Sequence, residues 1–415
     1  MNHFEAEIAK YERRIRRLEE NPAPGRLRCN RLLYEALIDD CKENLRAWKA
    51  GEPFAAATSW EEVFAAMGFH VLSVPFLADR ADKEATRYLQ VARNAGFPTE
   101  LCDRFGVGLG MFLTGDLPRP AICTGANHSC DMEMAQTLAI AHFSNCPVFN
   151  IDRYIEPDYE PVDYAMGEAY RLIEFTEQNV PGAKFDEKRM SEIWETEMVV
   201  QGYLSQTHEL YKAKPCPVRG NEVFRLPYPF TRFLTPQAIE YFRALRDELQ
   251  ERVEKGIGGI PEEKMRVMWL VSGFFYFDVF ALLEKYGVSV PIFMIEAIPQ
   301  FYQCRFGWRY WDETDSPLKK MVKRAMLNCW AGPAERWVND VEVHCKEFGI
   351  DALIYFMNGG CPANLNSAKI LADRVKSDLG LPTLLLEGRM LDEETFDSAS
   401  ATREIENFIT MCLSR

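Results

Sequence analysis

The sequence has no Cys-x-x-Cys pair and no Gly-x-x-x-x-Gly-Lys-Ser/Thr loop. It also has no lysine- and arginine-rich run long enough to offset a net charge of −14, and no apolar run of membrane-spanning length. Each absence narrows the function. Structural zinc ordinarily sits on closely spaced cysteine pairs, so a compact zinc knuckle is disfavoured. Without a phosphate-cradling loop of that kind, any dependence on ATP has to come from a partner. The acidic balance repels nucleic acid and anionic membrane surfaces, so neither is expected as a partner. The longest apolar stretch, VMWLVSGFFYFDVFALL, is interrupted by Gly273 and Asp278 and falls short of the ~20 residues that span a bilayer; it reads as a buried strand followed by a buried helix. The first twenty residues, MNHFEAEIAKYERRIRRLEE, are charged throughout and lack the apolar centre of a signal peptide, so a cytoplasmic protein is expected.

What is present is a chain of 415 residues, 47% apolar and 27% charged, long enough for two or three domains. Residues 1–55 read as a helical segment, broken at NPAPGR. From there short β-prone runs (HVLSVPF, RPAICTG, CPVFNID) alternate with helical ones, the rhythm of a parallel sheet with crossover helices. Residues 160–260 are mostly amphipathic helix and need no strand. A second alternating region holds RVMWLVSG, VSVPIFMI, DALIYFMN and PTLLLEG. The expected fold is α/β: two Rossmann-like parallel-sheet domains, 56–215 and 263–415, with an N-terminal helical segment and a helical linker at 216–262.

Twelve cysteines are many for a reducing compartment, where they stay thiols and a group of them points to metal or catalysis. Any single one is ordinarily a small buried hydrophobe. Cys130, in AICTGANHSCDMEM, and Cys361, in MNGGCPANLNSAKI, both fall where a strand hands over to a helix; Cys102, in PTELCDRFGVGLG, opens another helix. A thiolate in a first helical turn is stabilised by unbonded amides and the positive end of the dipole. Cys102 and Cys130 are 28 residues apart and Cys130 and Cys361 are 231 apart, so a site made from all three lies between the domains. GVGLG at 106–110 imitates a dinucleotide fingerprint but follows a helix start, and reads as close helix packing. His128 is a candidate proton or hydrogen-bond donor or else a solvated loop histidine. Glu387 is a candidate proton relay or else a loop acceptor. Trp308, Tyr310 and Trp311 wall a small-molecule pocket or pack a domain boundary.

In LCDRFGVGLG, SCDMEM and MNGGCPANLNSAKILADRVKSDLGLPTLLLEG the chain resembles the 2-hydroxyacyl-CoA dehydratase/benzoyl-CoA reductase family, from about residue 60 to the end. That resemblance implies that Cys102, Cys130 and Cys361 bind a [4Fe–4S] cluster with one iron open to a small-molecule substrate, charged by a separate ATP-hydrolysing iron–sulfur activator. Of the further cysteines, Cys123 and Cys304 are placed by the sequence on the same sheet edge and Cys329 in a loop ahead of the helix that leads to Cys345, the three forming a possible second trio, whereas Cys146 opens a strand at the opposite edge and Cys345 lies within a helix. Six thiolates exceed the need of one cubane, and the surplus is similar to the double-cubane branch of the family, with an [8Fe–9S] cluster in a homodimer. The ordinary dehydratase or reductase subunit, with one [4Fe–4S] cluster in a heterodimer, and a non-catalytic zinc or scaffold protein stay open beside it.

Overall fold

Two runs of nearly continuous apolar residues, MRVMWL and ALIYFMN, form β5 (Met265–Leu270) and β7 (Ala352–Asn358), the inner strands of a sheet in the computed structural model. The structure describes residues 1–20, 25–127, 130–152, 162–225, 235–294, 311–326 and 334–414. A strand covered on both faces has no polar side to present, so its alternation collapses into an apolar run. With β6 (Val288–Met294) and β8 (Thr383–Gly388) these strands make the parallel order β6-β5-β7-β8. The amino-terminal half repeats that order with β1 (Phe54–Ala57), β2 (His70–Ser73), β3 (Ile122–Ala126) and β4 (Val148–Ile151), arranged β2-β1-β3-β4 and again all parallel. The protein is therefore α/β with two parallel sheets of one topology. In such sheets the crevice opens beyond the strands' carboxyl ends where the order reverses, here between β1 and β3 and between β5 and β7.

The first half adds α1 (His3–Glu20), α2 (Asn30–Ala50), α3 (Glu61–Ala66), α4 (Val74–Asp79), α5 (Ala85–Asn94), α6 (Asp103–Leu113) and α7 (Asp131–Ser144). The middle is helical among its described residues: α8 (Val162–Asn179), α9 (Glu187–Tyr211), α10 (Gly220–Arg225) and α11 (Pro236–Glu254). The last part adds α12 (Val279–Lys285), α13 (Pro317–Ala325), α14 (Ala334–Phe348), α15 (Pro362–Leu379) and α16 (Ser398–Leu413).

Three features depart from what the sequence leads one to expect. β1 is a central strand made of Phe-Ala-Ala-Ala, all buried; alanine carries little strand preference, and only its burial between neighbours makes it one. HVLSVPF is a strand only through Ser73, because Pro75 falls in the first turn of α4, a place that suits proline. The chain also crosses the expected domain divisions. Residues 311–326 follow the second sheet's β6, yet Trp311, Leu318, Met321 and Val322 share a core with Trp60, Phe64 and Trp194 of the amino-terminal half. Arg324 there pairs with the buried Glu197 of α9 at 2.6 Å and also with Glu62. In the other direction, α10 packs on β6 and α12, so 216–225 belongs with the second sheet more than with a linker.

Candidate metal centre

Cys102, Cys130 and Cys361 are the N-cap residues of α6, α7 and α15. Their carbonyls begin the helical hydrogen bonding, accepting from Phe105, Glu133 and Leu365 respectively, so each sulfur sits beside the first turn of a helix; in α6 the Arg104 amide of that turn also donates to the Asp103 carboxylate at 3.1 Å. Cys130 comes four residues after the end of β3, and Cys361 three after the end of β7. The two sheets share one topology, so these cysteines occupy equivalent places, each at a point where strand order reverses.

Cys102 is drawn to Cys361 by contacts between the lobes. Asn358, the last residue of β7, donates its side-chain amide to the Cys102 sulfur at 3.5 Å. Gly360 has φ +84°, and a Cβ there would come within 2.5 Å of the Leu101 carbonyl carbon and 2.6 Å of the Cys102 amide nitrogen, so only glycine allows the two loops this approach. Arg389, just past β8, donates to the carbonyls of Leu101 (2.7 Å), Gly359 (3.0 Å) and Thr99 (3.0 Å). The buried Asp103 carboxylate accepts the amides of Leu391 (2.6 Å) and Asp392 (2.8 Å). The turn carrying Cys361 is fixed by Asn364, whose side chain accepts from the Asn358 amide at 3.1 Å and donates to the Phe356 carbonyl at 2.9 Å. None of Asn358, Gly360, Asn364, Arg389 and Asp103 stands out from the sequence alone. The asparagines flanking GGCPA are the available signal, because asparagine readily bonds nearby backbone at a strand-to-helix turn.

The thiols share one electrostatic environment. Burial raises the pKa of Cys102, and the negative charges of Asp103 and Cys361 push the same way, against the Arg104 amide. Cys130 is likewise held well above the usual thiol range by burial first, then by Glu133, Cys102 and Cys361, against the Met132 amide. A thiol in such surroundings ionises when a cation arrives to compensate it. Among the described residues, the one set of three metal-binding side chains with ligand atoms within 4.8 Å of each other is Glu43, Glu52 and His70. Arg46 is paired with both of those carboxylates. Cys102, Cys130 and Cys361 are not such a set, so their three sulfurs do not all lie within 4.8 Å of one another.

Cys123 is not at this site. It is the second residue of β3, and its register partner Val148 opens β4, so it lies toward the amino ends of the strands. Its sulfur is fully buried and 3.6 Å from that of Cys146. The expected place at the carboxyl edge follows from taking Gly125 as the end of the strand, which overlooks how early Cys123 falls in it. Cys345 is buried in α14. Glu387 is the penultimate residue of β8, exposed, at the carboxyl end. His128, Cys304, Cys329, Trp308 and Tyr310 lie outside the described residues. Trp311 packs edge-on against Trp194 at 5.1 Å, which makes it core and not a pocket wall. GVGLG is close helix packing: a Cβ on Gly110 would collide with the Tyr88 backbone of α5, and one on Gly108 with Val74 and Gln136.

Two curated proteins and one family profile match the chain over most of its length. The chain is 21% identical over 354 residues to a benzoyl-CoA reductase subunit from Thauera aromatica, covering 79% of this chain and 80% of that one. It is 22% identical over 366 residues to the alpha subunit of lactoyl-CoA dehydratase from Anaerotignum propionicum, covering 80% and 83%. The profile of the family described as 2-hydroxyglutaryl-CoA dehydratase, D-component, matches residues 59–412, a span that takes in all three N-cap cysteines and every strand except β1. The chain belongs to that family of enzyme components.

Proposed function

We propose that Cys102, Cys130 and Cys361 hold one iron–sulfur cluster between the lobes, and that the chain is the substrate-reducing component of an ATP-dependent iron–sulfur reductase or a 2-hydroxyacyl-CoA dehydratase. The observation that carries this is the convergence of three helix N-caps from both sheets, with Asn358 reaching across to the Cys102 sulfur. When bound, a [4Fe–4S] cluster supplies low-potential electrons and an iron open to substrate. The residues of the chain ligate and orient it. Three thiolates leave one iron corner without a protein ligand, the first-turn amides and Asn358 offset charge on the sulfurs, and Arg389 and Asp103 keep the lobes in register. A couple this reducing needs more driving force than a simple carrier provides, which is the physical reason for an ATP-hydrolysing iron–sulfur partner. The substrate is a small molecule admitted at the crevice, and the relatives' names point to acyl-CoA thioesters.

Anaerobic purification with iron and sulfide analysis tests the reading. We expect a brown protein with roughly four iron and four labile sulfide per chain; a colourless protein holding zinc and no sulfide would overturn it. A second reading, the [8Fe–9S] double cubane in a homodimer, draws on chain order. β6 ends ten residues before Cys304, on the same edge as β7, and α14 begins five residues after Cys329. It predicts roughly eight iron and nine sulfide, with Cys304 and Cys329 as ligands and no role for Cys123.

A further inference from the structure

The first lobe holds a pair of thiols that the metal centre does not use. Cys123 of β3 is fully buried in a small apolar core with Ile140 and Ala141 of α7, and Cys146, just past the end of α7, packs against that core while only half-buried. Their sulfurs are 3.6 Å apart, in van der Waals contact. The backbone holds them there. The Cys123 amide donates to the Pro147 carbonyl at 2.9 Å, and the Cys146 amide donates to the Ala141 carbonyl at 3.2 Å, following Asn145 in the left-handed conformation at φ +47°. A disulfide bond of ~2.05 Å needs the sulfurs to approach by roughly 1.6 Å more, a movement that rotation of the two side chains can share.

The two thiols are not equivalent. Arg119 is anchored on the carbonyls of Ser144 and of Asn145 (3.5 Å), which places its charge at the end of α7 beside Cys146. The hydrogen bond with Cys123 lowers the pKa of Cys146; burial opposes this, and Arg119 adds to the lowering. The same hydrogen bond, and then burial, hold Cys123 above the usual thiol range. A partly accessible thiolate in contact with a buried thiol is the arrangement of an attacking sulfur and its resolving partner.

We propose that Cys146 and Cys123 form a reversible disulfide, with Cys146 as the attacking thiolate, Cys123 as the resolving thiol and a hydroperoxide as the oxidant. The Cys146 sulfur attacks one peroxide oxygen and the O–O bond breaks; Cys146 becomes a sulfenic acid and the other oxygen leaves as water or an alcohol. The Cys123 sulfur then attacks that of Cys146. The S–S bond forms, the S–O bond breaks, and the hydroxyl leaves as water with the Cys123 proton. The two thiols give up one electron pair and the peroxide takes it; a dithiol reductant reverses the change. The link closes a loop that contains most of β3, Cys130 and all of α7. It thus ties the unit presenting Cys130 from its far end while consuming none of the three N-cap thiols. The proposal does not rest on the iron–sulfur reading.

Peptide mapping of the full chain tests it. Protein prepared without oxygen is exposed to equimolar hydrogen peroxide, the remaining thiols are alkylated, and the digest is read by mass spectrometry. We expect a linked peptide joining Cys123 to Cys146, absent before treatment and lost again after dithiothreitol. In Cys123→Ala the sulfenic acid should persist at Cys146 and be trapped there by dimedone. Cys146→Ser, at the half-buried position, should slow oxidation of Cys123 about tenfold or more, because the buried thiol lacks thiolate character; it decides the matter if the Cys123 variant fails to fold. Recovery of both cysteines in alkylated form after treatment, or oxidation of Cys123 at an unchanged rate in Cys146→Ser, overturns the proposal. The link is read whether or not the chain holds iron, which keeps this result distinct from the fate of the cluster reading.

Discussion

At the scale of single residues, the site depends on which sulfurs face the crevice. Cys102→Ala, Cys130→Ala and Cys361→Ala should each lose most of the bound iron, whereas Cys123→Ala, whose sulfur is buried against Cys146, should keep it; metal analysis after anaerobic purification separates the two classes. Asn358 offers a finer test. Its amide donates to the Cys102 sulfur, and a donor favours the more negative, reduced state of whatever that sulfur ligates. Asn358→Leu should therefore lower the reduction potential; a differential of ~1 kcal/mol in a one-electron couple is about 40 mV. A redox titration followed by electron paramagnetic resonance reads it, and an unchanged potential would deny Asn358 that role.

At the scale of elements, the glycine before Cys361 is the most exacting position. Gly360→Ala places a Cβ against backbone of residues 100–102 at a positive φ, and should cost about 3 kcal/mol in chemical denaturation together with part of the iron. The amino end of α1 makes a different prediction. The His3 ring is buried, its Nε2 lacks a partner, and burial lowers its pKa to about 4, with Arg80 and Lys10 adding to the effect and Glu7 opposing it. Between about pH 4 and 6.5 the unfolded chain binds the proton and the folded chain does not. The His3 contribution is therefore whole above 6.5 and falls by up to about 3 kcal/mol as pH drops to 4. His3→Gln should flatten that acid limb in urea titrations across the range. The elements also show what a sequence reader can and cannot see. β5, β6 and β7 are legible because buried strands are written as apolar runs, β8 because its half-buried TLLL is still an apolar run, and the three N-cap cysteines because each stands between such a run, or a Pro-Thr break, and a helical pattern. β1 is not legible, since FAAA owes its conformation to neighbours distant in the chain. Nor is the clamp of Arg389 on residues 99–101, which joins positions almost 300 apart and leaves no local periodicity.

At the scale of the whole molecule, a cluster held by three sulfurs from two lobes, as proposed, would make the joint between the lobes part of the site. Arg389→Ala removes three inter-loop hydrogen bonds at once while touching no proposed ligand, so it should loosen the fit of Cys102 against Cys361 and reduce iron retention without abolishing folding. Far-ultraviolet circular dichroism beside metal analysis checks both halves of that statement. The joint is not the sole tie. The stretch 311–326 leaves the second sheet to finish the core of the first, while 216–225 does the reverse. Anyone who cuts this gene near codon 263 to study a free-standing carboxyl-terminal half will strip a keystone from the other half, and both products should precipitate. Recombination between relatives, for the same reason, has to exchange the two lobes as one inheritance.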